Sequence, residues 1–164
     1  VTRAVLSIGS NLGDRVANLR IAVDGLADVL VAVSPVYETA AWGVTDQPDF
    51  LNAVLIVDDA DTDAWGWLRR GQDLEVAAGR VRTEHWGPRT LDVDVVTVDG
   101  VRSDHPDLLL PHPGTPDRAT VLVPWLDIDP DAEVPGTGMA ATLLSTLDTT
   151  GVRRRDDLEL RVVW

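Results

Sequence analysis

The sequence predicts an α+β domain, and three observations carry that prediction. Apolar runs of strand length, Ala4 to Ile8, Phe50 to Val57 and Leu91 to Val98, are closed by Gly or Asp-rich turns. Two segments between them repeat their apolar residues at helical spacing. Their order, with a further β-rich segment after the first helix, is strand, helix, strand, strand, helix, strand. That is the split βαβ pattern of a ferredoxin-like βαββαβ core, an antiparallel sheet with helices packed on its faces.

Each element has its own local reason. Ala4 to Ile8 is short, apolar and ends at Gly9. Gly9-Ser10-Asn11-Leu12-Gly13-Asp14 is turn chemistry able to cap a helix, with the spacing of a tight strand-to-helix turn rather than of a dinucleotide fingerprint. Val16, Leu19, Val23 and Leu26 then predict a helix from Asp14 to Ala27, with Leu30 past its end. Val31 to Tyr37 is β-rich around Pro35, which predicts an edge strand. Ala40 to Asp49 reads as a loop. The second helix is predicted from Thr62 to Ala78, with Ala64, Trp67, Leu68, Leu74 and Ala78 facing the core and Gln72 and Glu75 on a neighbouring face.

Past Gly100 the proline-rich stretch His105 to Pro116 is expected over one edge of the sheet. Val121 to Val123 is a short apolar segment stopped by Pro124. Met139 to Leu147 predicts an extra C-terminal helix, and the alternation of Leu158, Leu160, Val162 and Trp164 predicts a closing strand. No repeat or linker divides the chain, so residues 1–164 are expected to form a single domain.

Composition narrows the function. The net charge of −13 argues against nucleic-acid or anionic-membrane binding, but not against a nucleotide held by a few local arginines and a metal. All 14 basic residues are arginine, and the absence of lysine excludes a P-loop, a protein-kinase site and a Schiff base. Cysteine is absent too, removing disulfides and thiolate sites. The chain opens directly on a strand-like segment and holds no apolar run long enough to span a membrane, so no signal peptide and a cytoplasmic location are expected.

The chemistry concentrates between Gly79 and Asp94. Arg80, Arg82 and Arg89 carry forked donors that match phosphate oxygens, on a loop punctuated by Gly79, Gly87 and Pro88. Asp92 and Asp94 follow, two apart on a strand and therefore on one face. A hard divalent cation relieves their repulsion, and magnesium takes such a site with water and substrate phosphate oxygens. Solvated surface aspartates and surface-paired arginines are the bland alternatives, which the clustering disfavours. Trp86 stacks on a base, seals the site or packs back on the domain. His112, in Leu110-Pro111-His112-Pro113, lacks a second histidine at metal-ligand spacing, leaving a phosphate hydrogen bond or a satisfied loop histidine. Phe50 and Asn52 alternate on one strand face and suit a flat heterocycle by stacking and paired hydrogen bonds.

With these pieces in order, the chain resembles the 6-hydroxymethyl-7,8-dihydropterin pyrophosphokinases of folate biosynthesis. The resemblance runs from Leu6 to about Pro135. It rests on Ile8-Gly9-Ser10-Asn11-Leu12-Gly13, Asp46-Gln47-Pro48-Asp49-Phe50-Leu51-Asn52, Gly79-Arg80-Val81-Arg82, Trp86-Gly87-Pro88-Arg89-Thr90-Leu91-Asp92-Val93-Asp94 and Leu110-Pro111-His112-Pro113. It implies transfer of the β,γ-diphosphoryl unit of ATP to the pterin hydroxymethyl oxygen with release of AMP. It further implies two Mg2+ ions on Asp92 and Asp94, with Arg80 and Arg89 on the phosphates and Arg82 and Trp86 acting on a closing loop. His112 would reach a phosphate, Gln72 and Glu75 would lie near the nucleotide, and Arg118 would be a further anion contact. Phe50 would stack on the pterin and Asn52 would hydrogen-bond it, with backbone groups from Thr39 to Gly43 reading its edge. Thr120 stands where the family commonly places a second stacking aromatic, a role Trp42 or Trp86 would have to supply. The expected partners are therefore small molecules, ATP and the pterin, with no nucleic acid and no membrane, bound by a monomer. The competing expectations are a non-catalytic ferredoxin-like binding module and another magnesium-dependent phosphotransferase.

Overall fold

The computed structural model describes residues 3–40, 48–79 and 90–160. In chain order it runs β1 (Arg3–Ser10), α1 (Arg15–Gly25), β2 (Leu30–Val33), β3 (Tyr37–Thr39), β4 (Phe50–Asp58), α2 (Ala64–Ala77) and β5 (Asp92–Val98). A hairpin of β6 (Ser103–His105) and β7 (Leu108–Leu110) follows, then a 3-10 turn (Thr115–Asp117) and α3 (Ala119–Ile128). The small hairpin β8 (Glu133–Val134) and β9 (Gly138–Met139), α4 (Ala140–Leu144) and β10 (Arg153–Arg154) complete it. The main sheet is antiparallel throughout, in the order β10-β3-β4-β1-β5, with β2 also on β4. This is the expected βαββαβ core with helices on both faces, plus the extra C-terminal helix and strand.

Both core helices start where the sequence offers a cap. Asp14 accepts from the Ala17 N–H at 3.1 Å and Asp63 from the Gly66 N–H at 2.7 Å, each meeting an otherwise orphaned donor of the first turn. One sheet face buries Leu6, Ile8, Leu51, Ala53, Leu55, Val93 and Val95 against Leu19, Val23 and Leu26 of α1 and Trp67 and Leu74 of α2. The opposite face buries Val5, Val54, Ile56 and Val96 against Val121, Leu122 and Trp125 of α3 and Ala140 of α4. The apolar alternation of the strands is thus spent twice, once per face. Among the described residues, no helix is long and apolar enough to cross a membrane.

Four local expectations are corrected. The β-rich segment around Pro35 is two strands, β2 and β3, separated at Ser34 to Val36; among the described residues β2 pairs only with β4 and is the expected edge, whereas β3 has β10 along its outer side. Pro35 offers no N–H to a ladder. Ser34 bridges the gap instead, its N–H donating to the Val54 carbonyl at 2.9 Å and its Oγ accepting from the Val54 N–H at 2.8 Å. Next, the apolar segment before Pro124 is a ten-residue helix, α3, that runs through the proline. Pro124 leaves the Thr120 carbonyl without an intrahelical donor, but burying Val121, Leu122 and Trp125 outweighs that loss.

The final helix is also shorter than expected, covering only Ala140–Leu144. Finally, β10 (Arg153–Arg154) is the last strand among the described residues, and Leu158 to Leu160, the described part of the expected closing strand, follow a turn. Leu160 is instead buried in the main core, and residues 161–164 lie outside the described part. The His105 to Pro116 stretch lies along the β5 edge as expected, the His112 N–H donating to the Val96 carbonyl at 2.9 Å.

Candidate active site

The α3-facing side of the sheet is covered over Val5, Val54, Ile56 and Val96. Two residues along each strand the same face presents polar or small residues. Alternation puts Ser7 and Gly9 of β1, Phe50 and Asn52 of β4, and Asp92 and Asp94 of β5 on it together. Tyr37 and Thr39 of β3 join them, because Tyr37 is in register with Asn52 and Thr39 with Phe50. The register gives two rows. Tyr37, Asn52, Gly9 and Asp92 cross four strands side by side, and Val54, Ser7 and Asp94 form the row next to it.

At the acceptor end, the Asn52 Nδ2 donates to Thr39 Oγ1 at 2.9 Å, so the carboxamide is held before any ligand arrives. Gly9 lies beneath it. A Cβ at position 9 would stand 2.9 Å from Asn52 Oδ1 and 3.6 Å from Phe50 Cδ1. The first approach is too close for a side chain and the second is ordinary contact, so bare backbone is what lets Asn52 lean in as it does. Tyr37, at the outer end of this row, is buried and donates its phenol hydrogen to Asp127 of α3. Burial, reinforced by that hydrogen bond and the Asp127 charge, pushes its pKa up to about 12, so the phenol stays a donor.

At the other end, β5 holds the carboxylates rigidly. Gly71 of α2 packs against Val93, leaving only 3.0 Å between its absent Cβ and Val93 Cγ1. One turn further along α2, Glu75 is buried and its Oε2 accepts from the Val93 N–H at 2.9 Å. That bond sits between the two aspartates in sequence. Glu75 therefore faces the core side of α2 rather than the neighbouring face assigned to it, while Gln72 is exposed. The i, i+4 spacing from Gly71, which packs on β5, was the signal that Glu75 shares the core-facing side.

His112 is fixed from several directions. Its N–H is on Val96, its carbonyl accepts from Thr115 N and Oγ1 at 3.2 and 2.7 Å, and its Nδ1 donates to the Pro113 carbonyl at 2.9 Å. Nε2 faces Asp94 Oδ1 at 3.8 Å. Burial holds the imidazole pKa below its ordinary value, helped by Arg118 and opposed by the Pro113 hydrogen bond and by Asp92. Arg118 immediately precedes α3 without a side-chain capping bond, its guanidinium folded over Gly114, where a Cβ would approach Nε to 3.0 Å. Thr120 stands half-buried in the first turn of the same helix.

Asp92, Asp94, His112 and Arg118 thus cluster at one end of the face and Thr39, Phe50 and Asn52 at the other. Arg80, Arg82, Trp86 and Arg89, and also Trp42 and Gly43, lie outside the described residues. Among the described residues no group of three or more His, Cys, Asp or Glu side chains is placed to hold a metal. Two aspartates on one face still fit magnesium, which completes its shell with water and phosphate oxygens. Gly9, read as part of a turn, is in fact a strand residue on the site face, and its alternation with Val5 and Ser7 was the missed signal.

Known proteins similar to this chain point to one family. Residues 5–130 match the family model described as 7,8-dihydro-6-hydroxymethylpterin-pyrophosphokinase. A protein of Mycobacterium tuberculosis named 2-amino-4-hydroxy-6-hydroxymethyldihydropteridine pyrophosphokinase is 46% identical, the match covering 98% of this chain and 90% of that one. Its namesake from Mycobacterium leprae is 50% identical over 93% of this chain and 88% of its own. A wild-type HPPK-DHPS structure from Plasmodium falciparum superposes with a TM-score of 0.65 at 13% identity, over 94% of this chain but only 47% of that longer one. At that identity the superposition speaks for the fold alone. With the family model covering most of its length and relatives near half identity end to end, the chain belongs to the 7,8-dihydro-6-hydroxymethylpterin pyrophosphokinase family.

Proposed function

We propose that the open half of this sheet face performs the family's reaction: transfer of the β,γ-diphosphoryl unit of ATP to the hydroxymethyl oxygen of 6-hydroxymethyl-7,8-dihydropterin, releasing AMP, as a step of folate biosynthesis. The observation that carries the reading is the row Asn52, Gly9, Asp92. Strand spacing puts the carboxamide and the carboxylate about 10 Å apart at their Cα atoms. A flat bicyclic acceptor lying across Gly9 then reaches from Asn52 toward the phosphate end.

In this reading Phe50 stacks on the pterin and Asn52 hydrogen-bonds its edge, with Thr39 holding the carboxamide and Trp42 and Gly43 completing the pocket. Asp92 and Asp94 hold magnesium, two ions by the family pattern; when bound, the metal neutralises polyphosphate oxygens. Arg80, Arg82 and Arg89 supply fixed positive charge to the same oxygens, and Trp86 shields them from water. His112 reaches a phosphate through Nε2, its Nδ1 being committed to Pro113; donation from Nε2 requires the imidazolium, which the phosphate charge favours against the burial that lowers its pKa. Arg118 adds a cation beside it, and Gln72 lies toward the nucleotide. Glu75 acts one step back, keeping the aspartate strand in place. Catalysis of this kind depends on alignment and charge rather than on a covalent intermediate. The chain is taken as one domain, a monomer, working in the cytoplasm; the lack of cysteine suits a reducing compartment.

Incubation with Mg-ATP and 6-hydroxymethyl-7,8-dihydropterin, followed by identification of the nucleotide product, tests the assignment. AMP formed only when pterin is present is the expected result. ADP would mark another phosphotransferase, and no turnover would mark a binding module.

A further inference from the structure

At the edge of the sheet opposite β5, three arginines converge on Glu38, whose side chain keeps only 14% of its exposure. Arg15, at the start of α1, donates through Nη1 to Glu38 Oε2 at 2.8 Å and to the Asp49 carbonyl at 2.9 Å. Arg153, on β10, donates through Nη2 to Asp49 Oδ2 at 2.8 Å and to Glu38 Oε1 at 3.4 Å. Arg155 reaches Glu38 Oε1 at 3.1 Å. Two arginines from distant parts of the chain therefore each bridge the same two residues.

Those residues occupy particular positions. Glu38 lies between Tyr37 and Thr39, and Asp49 immediately precedes Phe50. Glu38 pairs in register with Leu51, between Phe50 and Asn52. Strand alternation puts the charged cluster on one side of the sheet while Thr39, Phe50 and Asn52 emerge on the other. The Asn11 Nδ2 adds a further tie to the Pro48 carbonyl at 3.2 Å. Arg153 is 59% exposed, and an exposed pair contributes little to stability, so the second bridge is better explained by what it aligns.

We propose that Arg15 and Arg153, by bridging Glu38 to Asp49, are positioning residues for the pterin subsite, setting the alignment in which Thr39, Phe50 and Asn52 meet the flat acceptor. This rests on the assignment of those three residues to the acceptor. The arginines touch no substrate; they act through the two strands whose ends they hold together.

The test compares Arg15→Gln, Arg153→Gln and the double variant with Asn52→Ala. Acceptor KM and kcat are measured at saturating Mg-ATP, and the Kd of a non-hydrolysable ATP analogue is measured with magnesium. Each single variant is expected to raise acceptor KM about fivefold and the double variant about tenfold or more, with kcat and the analogue Kd within about twofold. Arg15→Lys and Arg153→Lys should recover part of the loss, since one ammonium remakes one arm of the bridge. An unchanged acceptor KM in the double variant overturns the proposal, as does an equal rise in the analogue Kd, which would mark general loosening. Should Arg15→Gln fail to fold, Arg153→Gln decides alone, its side chain being 59% exposed. Asn52→Ala separates the two layers. If it leaves acceptor KM unchanged, the acceptor site is wrongly placed; if it raises KM while the arginine variants do not, only the positioning role fails.

Discussion

Asn52 on β4 and Asp92 on β5 both sit in register with Gly9 on the strand between them. One residue without a side chain thus separates the carboxamide from the first carboxylate, and no Cβ intervenes. Gly9→Ala would place a Cβ 2.9 Å from Asn52 Oδ1 and push the carboxamide away from its Thr39 partner. Acceptor KM should rise about tenfold, with unfolding free energy changed by no more than about 1 kcal/mol. Steady-state kinetics with a urea melt checks both; a normal KM would mean that the acceptor does not cross Gly9.

Asp94→Ala removes a carboxylate from the phosphate end, and Arg89→Ala removes a cation expected beside it. Each should lower turnover by about two orders of magnitude or more, in line with loss of a preorganised charge. Chelating the metal should abolish AMP formation, and adding magnesium back should restore it. Near-normal rates in either variant would mean that the site is misplaced.

Glu75→Ala takes the acceptor from the Val93 N–H and leaves a hole between α2 and β5. The expected cost is about 1–3 kcal/mol of unfolding free energy, measured by urea denaturation. Turnover per folded molecule should also fall, because the same bond steadies the strand that carries Asp92 and Asp94. A stable but inactive variant would instead indicate direct contact with nucleotide.

Glu38 makes the stability of the fold sensitive to acid. The Arg15 hydrogen bond, aided by Arg155 and opposed by burial, holds its carboxyl below the ordinary value of 4.5. A depressed folded pKa contributes stability that is complete above the unfolded value and lost as pH falls through the lower folded one. Unfolding free energies from about pH 7 to about pH 3 should show a steep acid limb, shallower in Glu38→Gln. An unchanged limb would mean that other carboxylates carry the effect.

Legibility followed the range of the forces involved. The strands and core helices were readable because their apolar periods, and the caps at Asp14 and Asp63, are local. Helix α3 was hidden because Pro124 is a local stop signal, whereas the burial of Leu122 and Trp125 that overrides it is long-range. The carboxylate pair and the Phe50–Asn52 pair were each visible from strand alternation. Gly9 was not, because a glycine's value lies in what its neighbours across the sheet require.

By itself, then, the sequence determined the βαββαβ order, the chemistry of Asp92 and Asp94, and the aromatic–carboxamide pair, since residue type and spacing along one strand suffice for each. Only the tertiary structure decided that both pairs share one face with Gly9 between them, and that Glu75 is buried behind the aspartates. It alone brought Arg15 and Arg153 together on Glu38 and Asp49. Register between strands and packing between helix and sheet join residues far apart in the chain, and no local pattern encodes them.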